Sequence, residues 1–378
     1  MKPKYEISDI LDLYGFDFKK RENLPSYKIK VLENLEYCRT SYFGGHVEQC
    51  DDCGHLRISY NSCRNRHCPK CQGLKKEQWI ISREEDLLPV KYFHVVFTLP
   101  HELNGLILKY QKELYNLLFK TVWSVIQGFA KNKKFLGAKS GMITILHTWG
   151  QNLSFHPHLH CIIPGGGLDE NGNWKNSRSD GKYLFPTKAM SSVYRARFVE
   201  GLRNFAKEKN IILSKKLIDK LFEKDWVVYA KRPFNKVNSV IEYLGRYTHR
   251  IAISNHRIID IKNGVIKFWA KNYKKEGNKE IVKLPVREFL RRFCLHILPR
   301  KFIKIRHYGF LSNRNKKKSL EQARKSLDAK APPKKDKDWK IIMKEKYGVE
   351  PDICPKCKKG KMLLIIELKR GQEYYPLE

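Results

Sequence analysis

The order of apolar and polar residues along the chain predicts alternating strands and helices between about residues 88 and 275. Residues 92–99 (YFHVVFTL) form a β-branched and aromatic run that ends at Pro100, which is typical of a strand. Residues 105–130 repeat apolar side chains at helical spacing. Further strands are predicted at residues 142–149, 159–164, 226–230, 257–261 and 265–270, and further helices at residues 191–207 and 235–247.

The arrangement of these elements favours an α+β fold. Asn263-Gly264, between the last two strands, is the strongest short hairpin signal. Strands in pairs with helices between them are typical of an α+β sheet domain rather than of a doubly wound parallel sheet. We divide the chain into a cysteine-rich module (1–75), the sheet domain (76–275), a basic helical extension (276–327), a charged linker (328–338) and a small tail (339–378).

The charge balance indicates a polyanionic partner. Lys and Arg number 75 and Asp and Glu 39, which gives a formal net charge of +36. A compact domain seldom tolerates this self-repulsion unless a polyanion neutralises it, and nucleic acid is the usual one. The charge is spread along the chain and not confined to one amphipathic helix, which argues against a membrane-surface binder. We therefore expect the protein to bind nucleic acid.

The N-terminus (MKPKYEISDI) lacks the apolar core of a signal peptide, and no apolar run approaches the ~20 residues of a spanning helix. We therefore expect a cytoplasmic protein that does not enter a membrane. In a reducing compartment cysteines bind metal more often than they form disulfides.

Six of the ten cysteines lie between Cys38 and Cys71, and four of them form two CxxC pairs. A CxxC turn aims two thiolates at one point, and two such turns close a tetrahedral zinc site. We predict that this module binds one structural Zn²⁺ and docks on DNA. The predicted ligands are Cys50, Cys53, Cys68 and Cys71.

The remaining cysteines and histidines leave two questions open. One set either holds a second zinc or consists of small core cysteines and surface or DNA-contacting histidines: Cys38, His46, Cys63 and His67. The tail carries half a site, Cys354 and Cys357, which either completes a zinc site with ligands from elsewhere or is an unfilled remnant.

The segment HPHLHCII at residues 156–163 predicts a second kind of metal site. Residues two apart in a strand face the same side, so His158 and His160 project together. Two imidazoles on a rigid strand can hold a divalent ion and leave coordination positions open for phosphate oxygens. HxH alone is a weak motif, because alternating histidines also occur on a polar sheet face.

The segment YLGRY adds two phenols at helical spacing. Tyr243 and Tyr247 lie one turn apart on one helix face and can reach the same phosphate in succession. A phenol, with a pKa near 10, is a poor nucleophile at neutral pH, and a metal that polarises the phosphate supplies the missing activation. Arg246 and Arg250 lie close by and are predicted to hold DNA phosphates.

Together these motifs resemble the HUH two-tyrosine transposases of bacterial rolling-circle insertion sequences, the insertion-sequence-91 family. The resemblance covers most of the chain, in the family's order. It rests on residues 62–72 (SCRNRHCPKCQ), 92–100 (YFHVVFTLP), 156–168 (HPHLHCIIPGGGL), 243–254 (YLGRYTHRIAIS) and 306–314 (RHYGFLSNR).

The resemblance implies an antiparallel HUH sheet with helices on its faces, and a Mg²⁺ or Mn²⁺ ion on His158 and His160. It implies that Tyr243 and Tyr247 attack single-stranded DNA at element ends and target, giving 5′-phosphotyrosine links without a nucleotide cofactor. It implies a bacterial, nucleoid-associated location. It leaves the third metal ligand open. Gln151, at the end of the preceding strand, is our first choice, followed by His147 and His156.

Two alternatives remain. A plasmid replication initiator or relaxase would use the same chemistry, although the N-terminal zinc module and the motif order favour the transposase. A non-catalytic zinc-ribbon DNA-binding regulator would explain the charge and the cysteines, but it would leave HxH and YxxxY as coincidences.

Overall fold

The computed structural model describes residues 3–234, 240, 243, 245, 251–272 and 277–375. Its helices are α1 (Ile7–Arg21), α2 (Ser26–Glu36), α3 (Gln72–Glu84), α4 (Asn104–Lys109), α5 (Gln111–Lys131), α6 (Arg178–Gly181), α7 (Thr187–Glu208), α8 (Lys215–Glu223), α9 (Val286–Leu295), α10 (Lys316–Ser326) and α11 (Trp339–Tyr347). Its strands are β1 (Gly45–Cys50), β2 (Leu56–Tyr60), β3 (Tyr92–Thr98), β4 (Gly141–Trp149), β5 (Phe155–Pro164), β6 (Gly166–Leu168), β7 (Trp174–Asn176), β8 (Val228–Ala230), β9 (Ile258–Lys262), β10 (Val265–Asn272), β11 (Asn278–Pro285), β12 (Ile305–Gly309) and β13 (Met362–Leu368).

The central sheet has five strands in the order β12-β4-β5-β3-β8, and every neighbouring pair is antiparallel. Helices flank it, so the predicted α+β class is confirmed. The register sets His147 opposite His158 and His160 opposite Val96. Because side chains alternate along a strand, this register decides which residues share a face.

One face of the sheet carries the largest apolar core. Phe97, Leu146 and Leu159 point from the three central strands into a cluster that α5 and α7 cover. These helices bury long apolar stripes against the sheet, including the fully buried Tyr115 and Tyr194. The packing makes the sheet a rigid platform for whatever its other face carries.

The opposite face is covered by α3 and by the helical residues Val240, Tyr243 and Gly245. Val240 and Ile80 of α3 pack on that face in one buried cluster. A Cβ added to Gly245 would lie 2.4 Å from Cδ1 of Ile80, so the glycine is what lets this helix approach α3 so closely.

A second core joins the N-terminal helices to a small sheet of order β11-β10-β9. Ile10 of α1, Leu32 of α2, Phe268 of β10 and Phe289 of α9 are fully buried in it. The predicted hairpin is present, with Asn263 and its glycine neighbour both at positive φ, as a type I′ turn requires.

Several elements differ from the sequence prediction. The helix predicted at 105–130 is divided at Tyr110, whose φ of −126° and ψ of 52° are not helical. Strand β12, which follows the predicted domain boundary at residue 275, pairs with β4 at the edge of the central sheet. Strand β13 of the tail pairs with β1 of the cysteine-rich module. In the described parts of the chain, no helix has the length and apolarity needed to span a lipid bilayer.

Candidate active site and cysteine clusters

Three histidines of the central sheet bring their ring nitrogens together on the face opposite α5 and α7. His147 on β4 lies beside His158 and His160 on β5, and one ring nitrogen from each falls within 4.8 Å of the others. All three are buried or nearly so. Their imidazoles therefore converge from two adjacent strands, an arrangement that suits a divalent ion with one side open.

Hydrogen bonds orient two of these rings. Nδ1 of His158 lies 2.6 Å from the carbonyl oxygen of His156, so Nδ1 carries the hydrogen and Nε2 keeps its lone pair. Nε2 of His158 lies 3.1 Å from Nε2 of His160, so both nitrogens face the same space. A metal ligand whose second nitrogen is fixed in this way is pre-oriented for binding.

His147 brings a third imidazole into this group. The sequence analysis had named Gln151 as its first choice for the third metal ligand. Gln151 lies in the turn that follows β4, and its backbone carbonyl accepts a hydrogen bond from Arg257. His147 was the second choice. It joins the site because the register of β4 and β5 places it opposite His158.

Tyr243 reaches this site through a histidine that the sequence analysis did not single out. Its phenol oxygen lies 3.3 Å from Nδ1 of His94 on β3, and its ring also contacts Phe234 and Lys231. Nε2 of His94 in turn lies 2.8 Å from Nδ1 of His160. Tyr243, His94 and the histidine cluster therefore form one continuous group. Tyr247, Arg246 and Arg250 lie outside the described residues.

His94 is buried on the face of β3 that it shares with Tyr92. Burial, together with the nearby charge of Lys231, lowers the pKa of His94 to about 4. The sequence held one signal of this role: a histidine in a run of apolar strand residues, in phase with the buried face. Its partners became visible only with the pairing of β3 and β5.

Eight of the ten cysteines form two groups of four. The first group contains Cys38, Cys63, Cys68 and Cys71. Its sulfur–sulfur distances include 3.5 Å between Cys38 and Cys71, 3.6 Å between Cys38 and Cys68 and 3.6 Å between Cys63 and Cys71. Zinc–sulfur bonds of about 2.3 Å in a tetrahedron place the sulfurs about 3.8 Å apart. The four thiols therefore fit a tetrahedral Zn²⁺. Hydrogen bonds, first from Cys38, hold the pKa of the Cys71 thiol well below its ordinary value.

The second group contains Cys50, Cys53, Cys354 and Cys357. The predicted grouping of Cys50 and Cys53 with Cys68 and Cys71 is therefore corrected. The hairpin of β1 and β2 carries the first CxxC pair to the tail, while the loop that holds the second pair folds back on the end of α2.

The four residues considered for a second zinc, Cys38, His46, Cys63 and His67, do not lie together either. Cys38 and Cys63 belong to the first group, but His46 and His67 belong to neither. His46 lies on β1, 3.7 Å from Glu48. The backbone N–H of His67 donates to Asn65, and burial lowers the pKa of its ring well below the ordinary value.

Comparison with known proteins identifies two domains. A family model described as "Transposase zinc-binding domain" matches residues 10–99, and one described as "Putative transposase" matches residues 141–319. The first range contains the cluster of Cys38, Cys63, Cys68 and Cys71, and the second contains His147, His158, His160 and Tyr243.

Two named transposases are similar over nearly the whole chain. "Putative transposase y4qJ" of Sinorhizobium fredii is 38% identical over 379 residues, which cover 95% of this chain and 94% of that protein. "Transposase for insertion sequence element IS801" of Pseudomonas savastanoi pv. phaseolicola is 27% identical over 353 residues, which cover 88% of this chain and 82% of that protein. No solved structure matches the chain. With both domain models in the family's order and this extent of identity, the chain belongs to the insertion-sequence-91 family of transposases.

Proposed function

We propose that this transposase nicks and joins single-stranded DNA through covalent links to its tyrosines, with a divalent ion on His147, His158 and His160. The observation that carries the proposal is the continuous contact from the phenol of Tyr243 through His94 to His160. A nucleophile beside a set of converging metal ligands is the arrangement that phosphoryl transfer requires.

The histidine set fits a catalytic ion. Three imidazoles are better ligands for Mn²⁺ than for Mg²⁺, which prefers oxygen, so we favour Mn²⁺ of the two ions expected. When bound, the ion would withdraw charge from the phosphate oxygens and stabilise the departing 3′-oxygen.

The hydrogen bonds define what His94 does for the phenol. When Nε2 of His160 is a ligand, its Nδ1 carries the hydrogen and donates to Nε2 of His94. A neutral His94 then carries its own hydrogen on Nδ1 and donates to the oxygen of Tyr243. A hydrogen bond donated to the phenol oxygen stabilises the phenolate and fixes its direction. His94 is therefore a positioning residue.

The covalent step exchanges one phosphate ester for another. The oxygen of Tyr243 attacks phosphorus, the bond from phosphorus to the 3′-oxygen breaks, the phenol loses its proton and the 3′-oxygen gains one. The DNA 5′-phosphate is then joined to tyrosine, and the other fragment ends in a free 3′-hydroxyl. Attack by a 3′-hydroxyl of a second strand reverses these changes, so no nucleotide cofactor is needed.

Burial of the site supports a single strand as the substrate. His147, His158 and His160 are each at least nine-tenths covered, and the sheet face around them lies beneath α3 and the helical residues near Tyr243. One sugar-phosphate backbone can enter such a confined site, whereas a duplex is far wider. The formal charge of +36 supplies the attraction.

The match to a transposase zinc-binding domain supports a structural Zn²⁺ in the N-terminal module. We assign the structural Zn²⁺ of the zinc-binding domain to Cys38, Cys63, Cys68 and Cys71. Helix α3 begins at Gln72, directly after the last of these cysteines, so the ion would fix the start of the helix that covers the catalytic face. Such a site contributes folding free energy to a module with a small core.

The proposal is tested with single-stranded oligonucleotides that tile both ends of the encoding element. Incubation with Mn²⁺ should give an adduct that survives denaturation, with the label of the 3′ fragment on the protein and an extendable 3′-hydroxyl on the other fragment. The variant Tyr229→Phe is the matched control for loss of the phenol at Tyr243 and should still form the adduct, because Tyr229 is exposed on β8. Reversible binding without an adduct, or retention of the 5′ fragment, would exclude the mechanism.

A further inference from the structure

The two CxxC motifs that lie farthest apart in the sequence meet in the fold. Sγ of Cys50 lies 3.7 Å from Sγ of Cys357, and Sγ of Cys53 lies 3.7 Å from Sγ of Cys354. Both distances agree with the edge of about 3.8 Å expected for four sulfurs around zinc. They are far longer than the sulfur–sulfur bond of a disulfide, which is about 2.05 Å.

The two motifs also share one backbone geometry. The fourth residue after the first cysteine of each pair, Gly54 and Lys358, has positive φ and donates its N–H to the carbonyl of that cysteine. Backbone N–H groups point at the sulfurs, at 3.5 Å from Cys53 to Cys50 and 3.4 Å from Lys356 to Cys354. Two turns that each direct N–H groups at their own sulfurs have the geometry expected of CxxC pairs that bind zinc.

Strand pairing holds the two motifs against each other. Cys50, at the end of β1, is opposite Met362, at the start of β13. Beyond this pair, the N–H of Asp51 donates to the carbonyl of Lys361, and the N–H of Lys361 donates to the Asp51 carboxylate. The tail is therefore fixed to the N-terminal module directly after its two cysteines.

Gly360 completes the site by leaving room for it. A Cβ at this position would lie 2.5 Å from Sγ of Cys50, a contact that real side chains do not make. The N–H of Gly360 also lies 3.3 Å from Sγ of Cys357. The close approach of the tail to Cys50 therefore depends on a residue without a side chain.

We propose that Cys50, Cys53, Cys354 and Cys357 bind a second structural Zn²⁺, which joins the tail to the N-terminal module. Neither matched domain range includes both halves of this site, because Cys354 and Cys357 lie beyond residue 319. The site is separate from the cluster that contains Cys38 and from the catalytic histidines.

The first test is the amount of zinc that a thiol-modifying reagent releases from the purified full-length protein, after reconstitution with Zn²⁺ under reducing conditions and removal of the reductant, because this counts only the zinc that cysteines hold. We expect two zinc ions per chain, and one in the double variant Cys354→Ser/Cys357→Ser. Cys294→Ala removes a buried cysteine that belongs to neither cluster and should keep two. One zinc ion in the wild type, two in the double variant, or iron in place of zinc would overturn the proposal.

A second variant tests the site without removing a ligand. Gly360→Ala should lose the second zinc at a chelator concentration that the wild type withstands, because the methyl group forces Cys50 and the tail apart. Gly73→Ala is the control, since a Cβ there meets nothing within 4 Å. Limited proteolysis should then cleave the tail of Gly360→Ala and leave the sheet domain intact. Equal zinc retention by the two variants would contradict the assignment.

Discussion

The Nε2 atom of His94 lies 2.8 Å from Nδ1 of His160, and the other nitrogen of His94 faces the phenol of Tyr243. We expect His94→Ala to slow nicking about 10- to 100-fold, the usual effect of losing a residue that orients a metal ligand. DNA affinity should change little.

Two further variants separate positioning from packing. His94→Gln should recover part of the rate, because its amide can accept from His160 and donate to Tyr243. His101→Ala is the matched control, because that side chain is exposed. A rate for His94→Ala equal to that of His101→Ala would remove His94 from the mechanism.

The tyrosines are expected to act as the nucleophiles. Tyr243→Phe removes the oxygen that faces His94 and should impair strand transfer, as should Tyr247→Phe. The double variant should form no adduct with labelled single-stranded DNA, since no phenol remains to attack phosphorus. An undiminished adduct in the double variant would refute the assignment.

The third metal ligand can be decided between two residues. We expect His147→Ala to weaken Mn²⁺ binding at least tenfold and to abolish cleavage, as His158→Ala and His160→Ala should. Gln151→Ala should keep both properties. Titration calorimetry with Mn²⁺ measures the affinity, and a filter-binding assay checks that DNA is still bound. The reverse order of effects would restore Gln151 as the ligand.

A buried histidine predicts acid sensitivity. The pKa of His296 is lowered to about 4, mainly by burial. The Leu153 carbonyl, which accepts a hydrogen bond from Nε2 of His296, opposes this shift, and the positive charge of Lys28 increases it. The ring of His67 also faces the ring of His296. In the unfolded chain this histidine has its ordinary pKa near 6.5. As the pH falls, the unfolded chain therefore takes up a proton before the folded protein does. The free energy of unfolding should drop by about 1.4 kcal/mol between pH 7.5 and 5.5 from this residue alone.

His296→Gln isolates this contribution. Urea unfolding followed by tryptophan fluorescence is a suitable measurement, since the Trp149 ring lies 6.0 Å from His296. His307, whose pKa burial also lowers to about 4, remains in both proteins and cancels in the comparison. An equal loss of stability in the wild type and the variant would show that His296 does not titrate as expected.

DNA affinity should fall steeply with salt. Each Lys or Arg that neutralises a phosphate releases counterions, so a protein with roughly 6–10 such contacts loses about 10³- to 10⁵-fold in affinity between about 50 and 200 mM salt. Fluorescence anisotropy with a labelled single strand measures this slope. A flat salt dependence would argue against phosphate contacts as the main source of affinity.

Local sequence was enough to predict what a single element contains. His158 and His160 share a face because strand side chains alternate, and Asn263-Gly264 makes its hairpin because both residues adopt positive φ. The strands β3, β4 and β10 were predicted to within a few residues for the same reason.

What depends on pairing between distant segments could not be predicted. His147 and His94 enter the site through the registers of β4 and β3 with β5, which a one-residue slip would reverse. The cysteines were paired by closeness in sequence, whereas the structure pairs Cys50 with a cysteine 307 residues away. Spacing alone does not encode such a contact.

The pairing of β1 with β13 has a consequence for biosynthesis. During translation the first strand leaves the ribosome long before its partner, and the whole central sheet is made in between. Until residues 362–368 emerge, one edge of β1 has no partner strand. Nascent chains with an unpaired strand edge are prone to aggregate during this period. A messenger RNA truncated before that point would yield a polypeptide in which β1 never pairs with β13.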